Sequence, residues 1–352
     1  MVRFPNPRSR PPFHMHDMIL RQPAFVGETL DRARRENFHA FLGTPRQLIL
    51  TGCGTSFHAA MFGASVLQDA FRSAAVARAV HAYDLAYGEP VPSGAVVLGV
   101  SHSGSTPTTN RALGRARRAG LRTIGICGLP DSAMEKETSR TWVIGSTHDH
   151  SWANTMSYTT QLAAFASLAA HVGGPSWAHV ERMTRRLPRL LEKALGCEGS
   201  IRRLASGVAR RDRLTILGSD LDTITALEAA LKIRETCSMP ASGYHPEQFL
   251  HGPCLSVDAR ESMIMLRSRS DGKRFSEIRR SMRTFGAQVA TVGEGKPVDV
   301  PLPRVHRVLR PILSIVPMQF LAYYVALARR ANPDIMRTDI PRYRAGLGPL
   351  FH

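Results

Sequence analysis

The stretch "QLILTGCGTSFHAA", residues 47–60, is the most informative part of the sequence for the fold. It runs from a short apolar segment through a loop of small residues directly into a helical pattern. A strand, a small-residue loop and a helix in this order present backbone N–H groups to an anion. Residues 52–56, named the Cys53 loop, are therefore a candidate phosphate site. Many strand-to-helix turns need glycine, so the rest of the chain must supply further support.

A second stretch of the same kind follows at residues 95–106, "AVVLGVSHSGST". Its last six residues, 101–106, are named the His102 loop. Two more strand patterns, "RTIGICG" and "TWVIG", alternate with helical patterns, which predicts an α/β fold with a parallel sheet covered on both faces. Because both loops leave the carboxyl ends of parallel strands, they are expected to meet where such sheets bind ligands. The alternative is that their Ser and Thr residues only cap helices.

The second half of the chain repeats this plan. "RLTILGSDLDTITA" answers to residues 47–60, and "SMIMLRSRSDGKRFSEIRRSMRTFGAQVATVGE" answers to 95–128. We therefore predict two similar subdomains, each a flavodoxin-like three-layer parallel sheet flanked by helices. The second copy carries Asp220 and Asp271 in its loops, where a carboxylate repels an anion. Only the first copy is predicted to bind phosphate.

The predicted organisation has five parts. They are a disordered extension at 1–14, an N-terminal helical segment at 15–45, the first subdomain at 46–195, the second subdomain at 196–330 and a C-terminal tail near the active site at 331–352. The helical segment contains an amphipathic pattern that predicts a helix from about Pro23 to Leu42.

Composition narrows the function classes. The net charge is +18, but the arginines are spread along helices, so we expect no nucleic-acid partner. The sequence has no apolar run of about 18 residues, so no membrane span is expected. Five cysteines without a Cys-x-x-Cys pair favour reduced thiols and a cytoplasmic location. The motif His148-Asp149-His150 is typical of metal sites, but without a distant third ligand we expect no metal and no cofactor.

Six motifs, in order, carry a family resemblance: "GCGTS", "SHSGST", "TTQL", "ALEAALKIRET", "HGP" and "IVPMQFLAYYVALARRANPD". The chain resembles the sugar isomerase (SIS) domain family, most closely the isomerase half of glucosamine-6-phosphate synthase. The resemblance covers Met15 to Asp334 almost completely. It implies two SIS subdomains, a sugar-phosphate ligand and a homodimer with shared active sites.

The resemblance also implies roles for single residues. Glu235 would be the base that moves a proton between C1 and C2, His251 would open the sugar ring from the neighbouring subunit, and Lys232 would support the open-chain hydroxyls. The residues expected to bind substrate or phosphate are Gly54, Thr55, Ser56, Ser101, His102, Ser103, Thr106 and Asn154.

The residues themselves agree with these catalytic roles. Lys232 and Glu235 are three apart in a helical pattern and share a face. Pro and Gly near His251 predict that it lies in a loop, and a carboxylate with an imidazole suits proton transfer at neutral pH. Judged by spacing alone, an ordinary surface ion pair is the better explanation of the Lys–Glu pair. His245 is the nearest competitor of His251.

Three departures from the synthase pattern bear on the reaction. Only 14 residues precede Met15, so we expect no glutaminase half. Lys296 is the last lysine, so we expect no Schiff base at the family's C-terminal position. Asp149 and Met156 replace the Glu and Lys of the synthase, and "TMSYT" is closer to SIS deaminases.

These departures predict a phosphosugar isomerase/deaminase of the glucosamine-6-phosphate type, which forms a ketose 6-phosphate and ammonia. The alternatives are a fructosamine-6-phosphate deglycase, a glutaminase-less aminotransferase and a non-catalytic sugar-phosphate sensor.

Overall fold

The structure, a computed structural model, describes residues 7–88, 90–296 and 298–351. Within these residues the chain forms two five-stranded sheets whose paired strands run parallel. The strands are β1 Gln47–Gly52, β2 Val76–His81, β3 Val96–Ser101, β4 Arg122–Cys127, β5 Arg140–Val143, β6 Arg213–Gly218, β7 Ala241–Tyr244, β8 Glu261–Arg267, β9 Gln288–Gly293 and β10 Val300–Pro301. The α-helices are α1 His14–Leu20, α2 Gln22–Arg35, α3 Phe38–Leu42, α4 Thr55–Phe71, α5 Ala82–Tyr87, α6 Pro107–Arg118, α7 Thr155–Val172, α8 Ala178–Thr184, α9 Leu187–Leu195, α10 Glu198–Val208, α11 Asp222–Cys237, α12 Pro246–Leu250, α13 Gly272–Thr284, α14 Arg310–Ala328 and α15 Pro341–Leu347.

The two sheets have the same strand order. The first is β2-β1-β3-β4-β5, and the second, read from its other edge, is β7-β6-β8-β9-β10. This confirms the predicted α/β fold with two similar parallel sheets. The strand order reverses between β1 and β3 in one sheet and between β6 and β8 in the other, and such a switch point is where open α/β sheets bind ligands. The Cys53 and His102 loops lie at the first switch point. Residues 218–222, the Asp220 loop, and 267–272, the Asp271 loop, lie at the second.

The central strands form because their residues are continuously apolar. Every residue of β3 is buried, as expected for a parallel strand covered on both faces. The edge strands lack this pattern. In β2 only Val80 is buried, β7 has four residues and β10 has two. For that reason the sequence pattern predicts the centre of each sheet and does not reveal β2, β7 or β10.

The N-terminal segment forms several short helices instead of one helix from Pro23 to Leu42. Helix α2 ends at Arg35, and α3 begins after Asn37, whose side-chain oxygen accepts a hydrogen bond from the Ala40 N–H at 2.9 Å. That N-cap starts a new helix and breaks the predicted one.

The N-terminal and C-terminal parts of the chain are joined. Asp334 accepts hydrogen bonds from the N–H groups of His14, at 2.6 Å, and Met15, at 2.9 Å, at the start of α1. The sequence predicts a disordered extension over 1–14. Residues 1–6 lie outside the described residues, but Phe13 is only 5 % exposed and packs in the core, so the ordered chain begins earlier than expected.

Helix α14 is the central helix of the second half. The stretch Arg307–Ala328 is long and apolar enough to span a membrane by composition, but 83 % of its most apolar window is buried inside the protein. It packs against α11 and α10. It is therefore a core helix, and it covers one side of the helix that carries Lys232 and Glu235.

Candidate active site

Helix α11 directs Lys232 into the protein toward the first sheet. The Lys232 side chain is fully buried, and its Nζ donates hydrogen bonds to Glu235 Oε2 at 2.6 Å, Thr55 Oγ1 at 3.0 Å and the Ala153 carbonyl at 2.5 Å. One ammonium thus connects Glu235 to the Cys53 loop. A fully buried ammonium of this kind is not the surface ion pair that the spacing alone allowed.

Two further residues complete the cluster, and our sequence analysis missed both. Glu228 is fully buried; its Oε1 lies 3.3 Å from Lys232 Nζ and accepts a hydrogen bond from Thr55 Oγ1 at 3.0 Å. Its Oε2 lies 2.6 Å from His58 Nδ1. The signal for Glu228 was present, because it precedes Lys232 by four residues and so shares its helix face. His58 lies on α4, and no spacing within the sequence pairs it with α11.

Burial and charge act in opposite directions on these groups. Burial raises the pKa of Glu235 above its ordinary value, although the adjacent Lys232 ammonium acts against this. Burial also tends to raise the pKa of Glu228, but the nearby Lys232 and His58 outweigh burial, so the pKa of Glu228 lies below its ordinary value. Burial alone would lower the pKa of Lys232, and the carboxylates of Glu228 and Glu235 hold it above its ordinary value. The cluster therefore holds a charged ammonium beside a carboxylate that takes up a proton more readily than usual, as a proton-transfer base requires.

The Cys53 loop is built for close approach of a ligand. Gly54 has φ +53, a left-handed value that favours glycine, and its Cα faces open space on the side where a Cβ would stand. The next residue, Thr55, begins helix α4, which has 17 residues, so its N-terminal N–H groups face this loop. Ser56 Oγ accepts a hydrogen bond from Gln161 of the "TTQL" motif at 3.1 Å.

The His102 loop lies beside the Cys53 loop. Ser101 and Thr106 hydroxyls are 2.9 Å apart, and Ser101 Oγ also accepts the Gly104 N–H at 3.1 Å. Ser103 Oγ accepts a hydrogen bond from the Ser105 hydroxyl at 2.9 Å. Helix α6 begins directly after Thr106.

A contact joins the two loops: Thr109 Oγ1 of α6 donates to Cys53 Sγ at 3.6 Å. The two loops thus meet at one switch point, where helices α4 and α6 both begin, and helix N-termini favour an anion. The Thr55 hydroxyl, which we predicted to bind phosphate, is instead engaged with Glu228 and Lys232.

The His102 side chain has a structural position. Its ring packs against Gly128, where a Cβ would come within 2.2 Å of Nδ1, and its Nε2 accepts the Asp149 N–H at 3.2 Å. Burial, with a smaller contribution from His148, lowers the pKa of His102 to about 4. The ring is therefore neutral at physiological pH and adds no positive charge to the loop.

Asn154 lies beside the Lys232 contact. It adopts the left-handed conformation at φ 51 and ψ 53 directly before α7, next to the Ala153 carbonyl that accepts from Lys232. Asp149 is buried and accepts hydrogen bonds from the N–H groups of Ser151 and Ser157, each at 3.2 Å. Asp149 thereby caps the first turn of α7 and fixes the loop that holds Asn154.

His251 is exposed, and its ring contacts its own helix, α12. It ends α12, its Nδ1 contacts the Glu247 carbonyl at 2.7 Å, and Gly252 follows with φ +136. The predicted loop position is therefore present. Within the described residues of the chain, no group of three or more His, Cys, Asp or Glu side chains is arranged to hold a metal ion. The five cysteines are free thiols.

Comparison with known proteins agrees with this geometry. A family model described as SIS domain matches residues 42–171. Glutamine–fructose-6-phosphate aminotransferase from Thermus thermophilus is 30 % identical, over 92 % of this chain and 57 % of the relative. The corresponding protein of Pyrococcus horikoshii is 27 % identical, over 82 % of this chain and 50 % of the relative. The chain thus spans about half the length of these relatives.

Solved structures share the fold. The C-terminal domain of glucosamine-fructose-6-phosphate aminotransferase from Francisella tularensis superposes with a TM-score of 0.85 at 20 % identity, covering 92 % of this chain and 98 % of that one. Glucosamine-6-phosphate deaminase from Thermotoga maritima gives a TM-score of 0.76 at 21 % identity, covering 91 % and 96 %. Residues 42–171 thus match the SIS domain model, and over most of its length the chain is similar to the isomerase half of the aminotransferases.

Proposed function

We propose that this chain is a phosphosugar isomerase/deaminase that converts an amino-sugar 6-phosphate to a ketose 6-phosphate and ammonia. One observation carries the proposal: the buried Lys232 ammonium contacts both Glu235 and Thr55 of the Cys53 loop. A sugar whose phosphate binds at the first switch point would then reach Glu235 with its other end. The related aminotransferase is named for fructose 6-phosphate, and the structurally similar Thermotoga deaminase is named for glucosamine 6-phosphate, which supports a phosphorylated hexose or amino sugar as the substrate class.

The proposed reaction needs one base and one water. Glu235 takes the C2 proton of the open-chain amino sugar and returns it to C1, while one proton of the C2 amine passes to the C1 oxygen. C1 becomes a hydroxymethyl carbon and C2 becomes an imine. Water adds to that carbon, the C–N bond breaks, and ammonia leaves with a ketone at C2. The raised pKa of Glu235 suits this step, because the group must both accept and release a proton.

Lys232 acts in this scheme as a cation and not as a nucleophile. Its ammonium is buried between Glu228 and Glu235, whose carboxylates favour its charged form. We therefore expect borohydride reduction in the presence of substrate to trap no covalent adduct, and a mass-spectrometric adduct on Lys232 would contradict the scheme.

We propose further that the active protein is a homodimer in which His251 serves the neighbouring site. The exposure of His251 supports this. Mixing the inactive variants Glu235→Gln and His251→Ala should restore part of the activity. A monomer with full activity in sedimentation would overturn the proposal.

The function itself is tested with a panel of amino-sugar 6-phosphates and fructosamine 6-phosphates, measuring ammonia and hexose phosphate separately. Ammonia and ketose phosphate in equal amounts from an amino sugar would support the proposal. Release of an amino acid and glucose 6-phosphate from a fructosamine would indicate a deglycase, and consumption of ammonia with fructose 6-phosphate would indicate synthesis. Tight binding without turnover would indicate a sensor.

A further inference from the structure

His58 closes the Lys232 cluster on the side of helix α4. Its Nδ1 lies 2.6 Å from Glu228 Oε2, and 17 % of the His58 side chain is exposed, against 1 % for Glu228. Because the partner atom is a carboxylate oxygen, His58 Nδ1 must carry a hydrogen and donate it. The other ring nitrogen is therefore the one that takes up or releases a proton, and the proposed reaction gives it no task.

The charges of the cluster do not balance without His58. Glu228 and Glu235 contribute two negative charges and Lys232 one positive charge, with the Lys232 and Glu228 side chains at 0 % and 1 % exposure. An uncompensated charge in such surroundings is unfavourable. Protonation of His58 supplies the missing positive charge next to Glu228.

We propose that His58 is a positioning residue: as an imidazolium it pairs with Glu228, so that the Lys232 ammonium remains available to hold Glu235 in its ionised form. The inference rests on the proposed function only in that Glu235 is the base. With His58 neutral, Glu228 and Glu235 compete for a single ammonium, and Glu235 gives up its proton less readily.

Other titratable groups face the same cluster and must be separated from His58. Asp149, in the loop before α7, interacts with Lys232, and burial raises the pKa of Asp149 to about 6. Tyr158 of α7 faces Glu228, and burial raises its pKa far above the physiological range, so it stays neutral. Asp149 is therefore the one other group among these that changes charge in acid, and a variant must remove it as a control.

The test is a carboxyl ¹³C NMR titration of the ligand-free full chain, with the Glu235 signal assigned by its loss in Glu235→Gln. The variant His58→Asn replaces the Nδ1–H donor by an amide N–H and removes the ability to become charged. We expect the Glu235 midpoint to rise by about 0.5–1 pH unit. The same rise is expected in an Asp149→Asn background. His39→Gln, on an exposed residue of α3, is the matched control and should change nothing.

Two results would overturn the inference. One is an unchanged Glu235 midpoint in His58→Asn. The other concerns the Glu228→Gln background. If His58 acts through Glu228, His58→Asn should no longer raise the Glu235 midpoint there, so a rise as large as in the wild-type background would overturn the inference. If His58→Asn does not fold, His58→Gln is titrated in its place, and the same outcomes apply.

A kinetic readout completes the test. In wild type the acid limb of kcat should lie at lower pH than in His58→Asn, with KM unchanged. The two proposals fail separately. A shifted midpoint without turnover of any panel substrate would overturn the proposed function and leave the positioning role. Turnover that depends on Glu235 together with an unshifted midpoint would overturn the positioning role alone.

Discussion

The two sheets have the same strand order, but the loops at their switch points carry different kinds of residue. At the first, the Cys53 and His102 loops gather hydroxyls and glycines. At the second, the loop carboxylates already have partners within the chain. Asp271 accepts from Ser219 Oγ at 2.6 Å and from the Ser268 N–H at 2.5 Å, and Asp220 forms two hydrogen bonds with Arg307, at 2.5 and 2.8 Å. In the second copy the anionic groups are thus supplied by the chain itself, and the first-copy loops carry no carboxylate at the equivalent positions.

One pair of equivalent residues shows how the difference arises. Gly104 and Asp271 occupy matching positions in the repeat. Gly104 has φ +62, and a Cβ there would lie 2.3 Å from Ser132 Cβ, so that no side chain fits without a shift. Asp271 stands in ordinary helical backbone at φ −76 and directs its carboxylate back at its own loop. A glycine at this position therefore leaves the loop open, whereas an aspartate closes the equivalent loop on itself.

The second sheet contributes to the proposed chemistry through a helix and not through its loops. Helix α11 follows the Asp220 loop, and its buried Lys232 and Glu228 contact Thr55 of the first sheet. Asp222, in the first turn of α11, is buried and paired with Arg310 and Ser314 of α14. These pairs anchor α11. In the proposed scheme the first sheet binds the ligand, and the helix of the second sheet transfers the proton.

The largest effect on activity is expected from a change at Glu235, on helix α11 of the second half. Glu235→Gln preserves the shape of the side chain and removes the base, so kcat should fall by at least about 10²-fold while KM changes little. Exchange of the substrate C2 proton with deuterated solvent should stop as well. Glu277→Gln, on an exposed part of α13, is the control. Proton exchange at the wild-type rate in Glu235→Gln would make Glu235 a structural ion-pair residue.

The next effect concerns ligand binding by the first sheet. Ser101→Ala or Thr106→Ala should raise KM more than it lowers kcat, because each removes about 1–3 kcal/mol of charge-assisted hydrogen bonding. The matched control is Ser268→Ala, at the position of the repeat equivalent to Ser101. Equal increases of KM in Ser101→Ala and Ser268→Ala would break the division between the two switch points.

A smaller effect is expected at the closed switch point. Asp271→Ala leaves the Ser219 hydroxyl and the Ser268 N–H without their acceptor and should lower the free energy of unfolding by about 1 kcal/mol, with KM unchanged. Urea denaturation measures the loss. Lys273→Ala, at a side chain that is 91 % exposed, is the control and should be nearly neutral. A KM change in Asp271→Ala would mean that the second switch point takes part in binding.

An effect of similar size, seen only when the pH is changed, concerns Asp149. Burial raises the pKa of Asp149 to about 6, so the folded chain binds this proton more tightly than the unfolded chain does. Stability relative to Asp149→Asn should therefore increase as the pH falls through that value, by about 1 kcal/mol between pH 7.5 and 5. Urea denaturation of both proteins at the two pH values tests this. A difference that does not vary with pH would show that Asp149 stays ionised.

The architecture and the location of the ligand loops can be predicted from the amino-acid sequence. Continuous apolar runs such as Val96–Ser101 predict central parallel strands, and the internal repeat predicts the second sheet. Local spacing predicts both loops at the first switch point. It also predicts that Lys232 and Glu235 share one helix face. These features are predictable because they depend on residues close together in the chain.

Which charges are buried together depends on the packing of distant segments and could not be predicted. Spacing places Lys232 and Glu235 on one face of α11, but it does not say that α4 covers that face and brings Thr55 and His58 to Glu228. In the same way, the position of the His102 ring depends on Gly128 and Asp149, which contact it and lie far from it in sequence. The strength of a charge pair depends on how far its neighbours exclude water, and those neighbours are distant in sequence.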